Sequence, residues 1–226
     1  MLIPVIFYKQ VETDTGGESM SVETLKIKNM LLTSANKIIS NVENLTRLDC
    51  ELGDGDHGTT MEKIAKALVT EVDAWNEETD LKEALEALND TLEDISGGSA
   101  APLFGSFVCG MADAADPSQD TDAFIKTILL GAYEEFFDTS GAKPGGKSMM
   151  DAIYPATEVI RSADKINQEV LNQAAKAARE GSDATSDMLG KYGRARYIGD
   201  RAIGHTDPGS VSFALFYEGL AEGYAL

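Results

Sequence analysis

Basic residues are scarce in this chain: 19 lysines and arginines stand against 38 aspartates and glutamates, a formal net charge of -19 at pH 7. Nucleic acids and anionic membranes attract proteins through lysine and arginine, so we expect neither as a partner. The 2 cysteines are too few for a disulfide scaffold and are typical of a reducing cytoplasm, where we expect the protein to act. No stretch approaches the roughly 18 apolar residues that cross a membrane.

Strand-like alternation of apolar and polar residues is also missing. Apolar residues instead recur at helical spacing and predict an all-α protein of about eight helices, with short loops that favour antiparallel neighbours. We expect one domain at residues 23–226, preceded by a loose N-terminal extension at residues 1–22.

Several helix boundaries are predicted by single residues. Apolar residues at helical spacing over residues 27–45 predict one continuous first helix. Asp80 followed by Glu83 resembles a capping box that opens another helix, and Pro155 should disturb a helix interior. The pair Asp207–Pro208 predicts the start of the last helix, because Asp is favoured at the N-cap and Pro at the first helical position.

Acidic residues are abundant, and one turn concentrates them. Residues 48–61 contain Asp49, Asp54 and Asp56 without a lysine or arginine. Carboxylates held this close repel one another unless a cation lies between them, and magnesium takes carboxylates together with phosphate oxygens. A predicted helix begins at His57, and free N–H groups at a helix N-terminus form an anion site. The turn therefore predicts a magnesium–nucleotide site.

A calcium loop and a solvated helix cap are two other interpretations of this turn. An EF-hand calcium loop that starts at Asp54 would have Thr59 in place of its turn glycine and Ala65 in place of its bidentate glutamate, so the spacing rejects it. A solvated acidic turn that caps a helix stays open as the alternative.

Four segments in order along the chain resemble the L subunit, or C-terminal domain, of dihydroxyacetone kinases. The resemblance extends from about residue 24 to the C-terminus. The segments are Asp49-x4-Asp54-x-Asp56-His57-Gly58, the glycine-rich residues 97–105, the Gly-Gly-Lys-Ser-Met-Met-Asp run at 145–151, and the arginine-containing residues 194–209.

This resemblance implies a helical barrel with the nucleotide site at one end. It implies that Asp49, Asp54 and Asp56 bind two Mg²⁺ ions against the phosphates of ADP or ATP, whereas Glu51 is not used and is expected to be solvated. The loop at residues 143–147 looks like a lid. The nucleotide-binding positions of the family fall on His57, Gly58, Thr59, Thr60, Ser99, Ala100, Gly141, Met149, Arg194, Asp207, Pro208 and Gly209.

The function implied by the resemblance is that of a kinase subunit. It would bind magnesium and ADP or ATP and transfer a phosphoryl group to dihydroxyacetone or a related small ketose held on a separate K-type subunit. We expect no covalent nucleophile, since positioning and charge neutralisation dominate this kind of transfer. ADP would serve as a bound cofactor that an M-type subunit of a phosphotransferase system re-phosphorylates. Freely exchanging ATP, or a nucleotide-loaded regulatory module that binds a transcription factor, are the alternatives.

Overall fold

The computed structural model describes residues 20–116 and 119–226, and within these ranges helices are the only regular secondary structure. The all-α prediction is confirmed. Most of the predicted N-terminal extension, residues 1–19, lies outside the described residues. The helices are α1 (Val22–Ile39), α2 (Val42–Leu52), α3 (His57–Asp73), α4 (Leu81–Glu93), α5 (Ala100–Asp113), α6 (Thr121–Ser140), α7 (Met150–Ser162), α8 (Gln168–Ala184) and α9 (Pro208–Tyr224), with 3-10 turns at Thr185–Asp187, Ala195–Tyr197 and Gly199–Ala202.

The described residues form nine α-helices because the predicted first helix is divided at Ser40–Asn41. The Ser40 hydroxyl donates to the Asn36 carbonyl at 2.5 Å, and the Asn41 side-chain amide donates to the Lys37 carbonyl at 2.8 Å. These short polar side chains take carbonyls at the end of α1, which ends the helix. The apolar pattern did not reveal the break, since Leu45 of α2 is buried in the same core as α1.

The two predicted helix starts are confirmed by hydrogen bonds. Asp80 Oδ1 accepts from the Glu83 backbone N–H at 3.0 Å at the start of α4. Asp207 Oδ2 accepts from the Ser210 backbone N–H at 2.7 Å at the start of α9, where Pro208 is the first helical residue. Each carboxylate satisfies one N–H group that has no partner within its own helix.

Pro155 lies inside α7 without ending it. A proline has no N–H to donate to the carbonyl four residues earlier, which here belongs to Asp151. A Cβ atom on Gly181 would lie 2.1 Å from that carbonyl oxygen and 2.8 Å from Pro155 Cγ, so only glycine lets α8 come this close. Helix α8 therefore covers the turn that the proline weakens.

Helix α9 is buried along nearly its whole length. Its aromatic side chains pack against those of α5, with ring centroids 5.3 Å apart for Phe104 and Phe213 and 5.7 Å apart for Phe107 and Phe216. A Cβ atom on Gly219 would lie 2.2 Å from Ser34 Cα, so α1 and α9 are in backbone contact there. A helix that is apolar over most of its surface belongs in a protein interior.

Each helix from α3 to α8 contacts the next, and α1 contacts both α3 and α9. Helix α2 packs against α3 and α9. The closed barrel implied by the resemblance stays a prediction. No helix among the described residues is long and apolar enough to cross a membrane.

Candidate functional site

A cavity of about 660 Å³ opens where the N-terminal ends of four helices meet. The first residues of α3, α5, α7 and α9 all line it, namely His57, Ala100, Met150 and Pro208. The C-terminal end of α6 and the loop between α8 and α9 complete its wall. Free N–H groups and helix dipoles make this end of the bundle favourable for an anion.

The three predicted metal-binding aspartates come together beside this cavity. One carboxylate oxygen of each of Asp49, Asp54 and Asp56 lies within 4.8 Å of the other two. Asp49 ends up buried near the C-terminal end of α2, where its Oδ2 accepts from the His57 backbone N–H at 3.1 Å. Gly55, with φ of 80°, makes the tight turn that returns Asp56 to the group. Three hard oxygen ligands at this spacing fit a magnesium ion.

Arg194 reaches the same carboxylates from the loop between α8 and α9. Its Nη1 contacts Asp54 Oδ1, and its Nη2 donates to Asp56 Oδ2 at 3.4 Å. All three side chains are about half exposed. We expected Arg194 among the nucleotide-binding residues, and the structure brings it to both the cavity and the aspartates.

His57 is buried and links α3 to α9. Its Nε2 lies 2.7 Å from Ser212 Oγ, and that hydroxyl donates to the Pro208 carbonyl at 3.1 Å. Burial lowers the pKa of His57 to about 4, although the nearby Asp49 carboxylate acts in the opposite direction. The imidazole is therefore neutral at pH 7 and donates through Nε2 to the Ser212 oxygen.

Lys147 forms a part of the wall that the sequence analysis missed. Its side chain is only 1% exposed, and its backbone has the left-handed φ of 57°. Nζ donates to the Thr185 carbonyl at 2.6 Å and to the His205 carbonyl. Burial lowers the pKa of Lys147, while Asp207 and Asp151 oppose that shift. The Gly-Gly-Lys motif marked this position, but no local pattern pointed to a buried ammonium.

The loop that looks like a lid is anchored at several points. The Lys143 N–H donates to the Tyr192 hydroxyl at 3.1 Å, and Asp151 accepts from the N–H groups of Gly145 and Ser148 at 2.5 and 2.8 Å. Together with the Lys147 bonds, these contacts fix the loop against the segment that follows α8. Of this loop, Lys147 lines the cavity.

Asp207 caps α9 at the inner end of the cavity. Its backbone N–H donates to Thr185 Oγ1 at 2.9 Å. Burial raises the pKa of Asp207 to about 7, while the Ser210 N–H opposes the shift by bonding to the charged form. Met149 packs against the start of α9, because a Cβ atom on Gly209 would lie 2.7 Å from Met149 Cγ.

Most of the predicted nucleotide-binding residues line the cavity: His57, Thr60, Ser99, Ala100, Met149, Arg194, Asp207, Pro208 and Gly209. The other three do not. Gly58 packs against α2, where a Cβ atom would lie 2.1 Å from Thr46 Oγ1, Thr59 is exposed, and Gly141 ends α6 with φ of 59°.

Further lining residues had no functional signal in the sequence. Phe136, Thr139 and Ser140 of α6 lie in an ordinary apolar or polar pattern, and Tyr192 and Tyr197 lie near the arginines. Glu51 points elsewhere, with Oε2 2.9 Å from His205 Nδ1 and Oε1 3.1 Å from Arg47 Nη1.

Residues 51–222 match the DAK2 domain. The chain belongs to this family. Its relatives include the ADP-binding subunit DhaL of the PEP-dependent dihydroxyacetone kinase of Escherichia coli K12, 32% identical over 89% of this chain and 98% of the relative. DhaL of the PEP-dependent dihydroxyacetone kinase 1 of Listeria innocua is 31% identical over 82% of this chain and 89% of the relative. The resemblance carried by the four motifs is confirmed.

Longer relatives in the family are matched over only part of their length. The L-erythrulose 1-kinase of Mycolicibacterium smegmatis is 30% identical over 80% of this chain, which corresponds to 32% of that enzyme. Two crystal structures of the dihydroxyacetone kinase of C. freundii, the native form and the complex with AMP-PNP and Mg²⁺, share the fold with a TM-score of 0.66. They are 20% identical over 98% of this chain and 38% of theirs. The chain thus spans about a third of these longer kinases.

Proposed function

We propose that this protein binds a magnesium–adenine nucleotide in the cavity and serves the transfer of a phosphoryl group to dihydroxyacetone or a related small ketose. The proposal is carried by one observation: a cluster of three carboxylates, two of which line the cavity, lies beside an arginine and the N-terminal ends of four helices that line the same cavity. Carboxylate oxygens prefer Mg²⁺, whereas arginine and helix N-termini prefer phosphate. Both preferences together favour a metal-bound nucleotide.

The donor set suits magnesium better than other common metals. Asp49, Asp54 and Asp56 supply only hard oxygen atoms, and the nearest histidine, His57, is bonded to Ser212. We assign these three aspartates to two Mg²⁺ ions, as the resemblance implies. Magnesium bound there would neutralise charge on the phosphates during transfer.

The cavity offers separate groups for the phosphates and for the base of a nucleotide. The N–H groups at the start of α3 and α5, with Arg194, face the region beside the aspartates and suit phosphates. Met149 and Phe136 are apolar residues that line the cavity and suit a planar base. Gly58, Thr59 and Gly141 would support this site through the backbone, since none of these residues lines the cavity.

The residues of this chain would act by positioning and charge, without a covalent intermediate. His57 is neutral and already bonded to Ser212, so it holds α3 against α9. Asp49 holds the start of α3 through the His57 N–H. These bonds keep the phosphate-binding N–H groups and the metal-binding carboxylates in one rigid frame, which is the main requirement of phosphoryl transfer.

The relatives suggest the substrate and the partner. They are dihydroxyacetone or erythrulose kinases, or subunits of one. We therefore propose that a small ketose is the phosphoryl acceptor and that a K-type subunit holds it. The ADP-binding relatives favour ADP as a bound cofactor that an M-type phosphotransferase-system subunit re-phosphorylates, and freely exchanging ATP is the second candidate.

We also propose that residues 23–226, together with Val22 at the start of α1, form the nucleotide-binding domain and that the residues before α1 are an extension to it. The core is continuous from α1 to α9 among the described residues. Both cysteines, Cys50 and Cys109, are free thiols, which favours a cytoplasmic location.

The nucleotide content of the purified protein tests this function. After dialysis against Mg²⁺ buffer, acid-released nucleotide is separated by chromatography. We expect near-stoichiometric ADP if ADP is a bound cofactor, or an emptied site that takes up ATP reversibly if ATP exchanges. Asp54→Ala should lower nucleotide affinity by at least roughly tenfold, since mutating a residue that only hydrogen-bonds to a metal ligand already lowers metal affinity that much.

Glu51→Ala is the matched control for this measurement. Glu51 lies in the same acidic turn but pairs with His205 and Arg47. Its nucleotide content should equal that of the wild type. Equal nucleotide content in wild type and Asp54→Ala would contradict the metal role, and no affinity for either nucleotide would contradict the proposed function.

A further inference from the structure

The contact between Arg194 and the aspartates brings together a residue predicted to bind phosphate and residues predicted to bind metal. Arg194 was expected to bind phosphate, and Asp54 and Asp56 were expected to bind metal. In the structure the guanidinium pairs with both of these carboxylates. Arg194 and Asp56 lie 138 positions apart in the sequence, so the contact is made by the fold.

Electrostatics explains why the arginine lies there. Three carboxylates within 4.8 Å of one another repel, and a cation lowers that repulsion. Asp49 is buried and bonded to the His57 N–H, whereas Asp54 and Asp56 are about half exposed and face Arg194. An ion pair this exposed is weak and easily exchanged.

The surroundings of Arg194 leave space for a second position of its guanidinium. Its side chain also lines the cavity, and Gly98 leaves room beside it, since a Cβ atom there would lie 4.0 Å from Nη2. The same guanidinium can therefore face either the carboxylates or a phosphate in the cavity. Its planar fork suits both groups equally well.

We propose that Arg194 is an exchangeable counter-ion of the metal site. Arg194 neutralises Asp54 and Asp56 in the metal-free protein and is released toward the cavity when Mg²⁺ takes those carboxylates. The released guanidinium then binds nucleotide phosphate, so metal and nucleotide each favour the binding of the other. This inference rests on the proposed function, because it takes Mg²⁺ and a nucleotide as the ligands.

The test is the binding of Mg²⁺ alone to the nucleotide-free full chain, measured by isothermal titration calorimetry. Arg194→Gln removes the competing cation and should bind Mg²⁺ about fivefold tighter than the wild type, the size expected for an exposed pair. The same variant should bind ADP more weakly when Mg²⁺ is present. A residue with a merely structural role would weaken both affinities, so the opposite signs identify the exchange.

Two variants serve as controls. Arg194→Lys keeps the charge without the planar fork, and its affinity for Mg²⁺ should lie between those of the wild type and Arg194→Gln. Arg196→Gln changes an arginine of the same loop that stacks on Tyr197, with 4.5 Å between Cζ and the ring centroid. Its affinity for Mg²⁺ should equal that of the wild type.

The outcomes separate this inference from the proposed function. If Asp56→Asn abolishes Mg²⁺ binding but Arg194→Gln binds Mg²⁺ no tighter than the wild type, the counter-ion exchange is overturned and the metal site stands. If the wild type, Arg194→Gln and Asp56→Asn all fail to bind Mg²⁺, the metal role and the exchange are both overturned.

Discussion

Two sets of polar residues surround the cavity. The inner wall consists of His57, Lys147 and Asp207, of which the first two are buried, and the rim consists of Asp54, Asp56 and Arg194, which are about half exposed. Wall residues bond to groups in other segments, as Lys147 does to the Thr185 carbonyl at 2.6 Å. Rim residues bond to one another.

The difference follows from solvent access. A buried polar group that loses its partner retains the full cost of desolvation, so the wall bonds hold the surrounding segments at fixed distances. An exposed charge that loses its partner regains water, so the rim can exchange partners at little cost. The wall therefore sets the shape of the cavity, and the rim is the part able to respond to a ligand.

The largest change should come from the wall. Lys147→Met keeps the size and the unusual backbone but leaves the His205 carbonyl without its lysine donor and the Thr185 carbonyl with the Met188 N–H alone. We expect the free energy of unfolding to fall by about 3 kcal/mol, measured by urea denaturation. Lys143→Met, an exposed position in the same loop, is the control and should change little. Similar stability of the two variants would contradict a structural role for the buried ammonium.

A pH-dependent change should come from Asp207. Its pKa is raised from 3.8 to about 7, so the folded protein keeps a proton that the unfolded chain releases, and stability falls as the pH rises from about 4 to 7. Asp207→Asn cannot titrate. As the pH rises through this range, its free energy of unfolding should therefore increase by about 2 kcal/mol relative to that of the wild type. This difference in the free energy of unfolding is smaller than the whole pKa shift would correspond to, because the Asp207 side chain is only partly buried.

The free energies of unfolding of the wild type and Asp207→Asn are measured without nucleotide or Mg²⁺, by urea denaturation at several pH values. The stability difference between variant and wild type should be small near pH 4, grow toward pH 7 and stay level above pH 8. A difference that is constant over this whole range would mean that Asp207 titrates normally in the folded protein.

The smallest change should come from the rim. Asp56→Asn removes one charge from a group of like charges and weakens a half-exposed ion pair with Arg194. These effects oppose each other, so the free energy of unfolding without ligand should change by less than about 0.5 kcal/mol. A loss comparable to that of Lys147→Met would erase the distinction between rim and wall.

Local sequence patterns predicted the features whose cause is local. Asp80 and Asp207 marked helix starts because a capping carboxylate reaches an N–H only three residues away. The aspartates of the acidic turn converge because they are close in sequence and Gly55 allows the tight turn. The break at Ser40–Asn41 was missed because apolar periodicity continues on the same face across it.

The sequence by itself therefore determined the helical class, most helix positions, the acidic turn and the family, since each depends on neighbouring residues or on motifs in order. Only the tertiary structure decided that Lys147 joins the Thr185 and His205 carbonyls and that Arg194 pairs with Asp56. Contacts between residues this far apart depend on how whole helices pack. No local pattern records that packing, because a side chain's partner is set by the core that brings the two segments together.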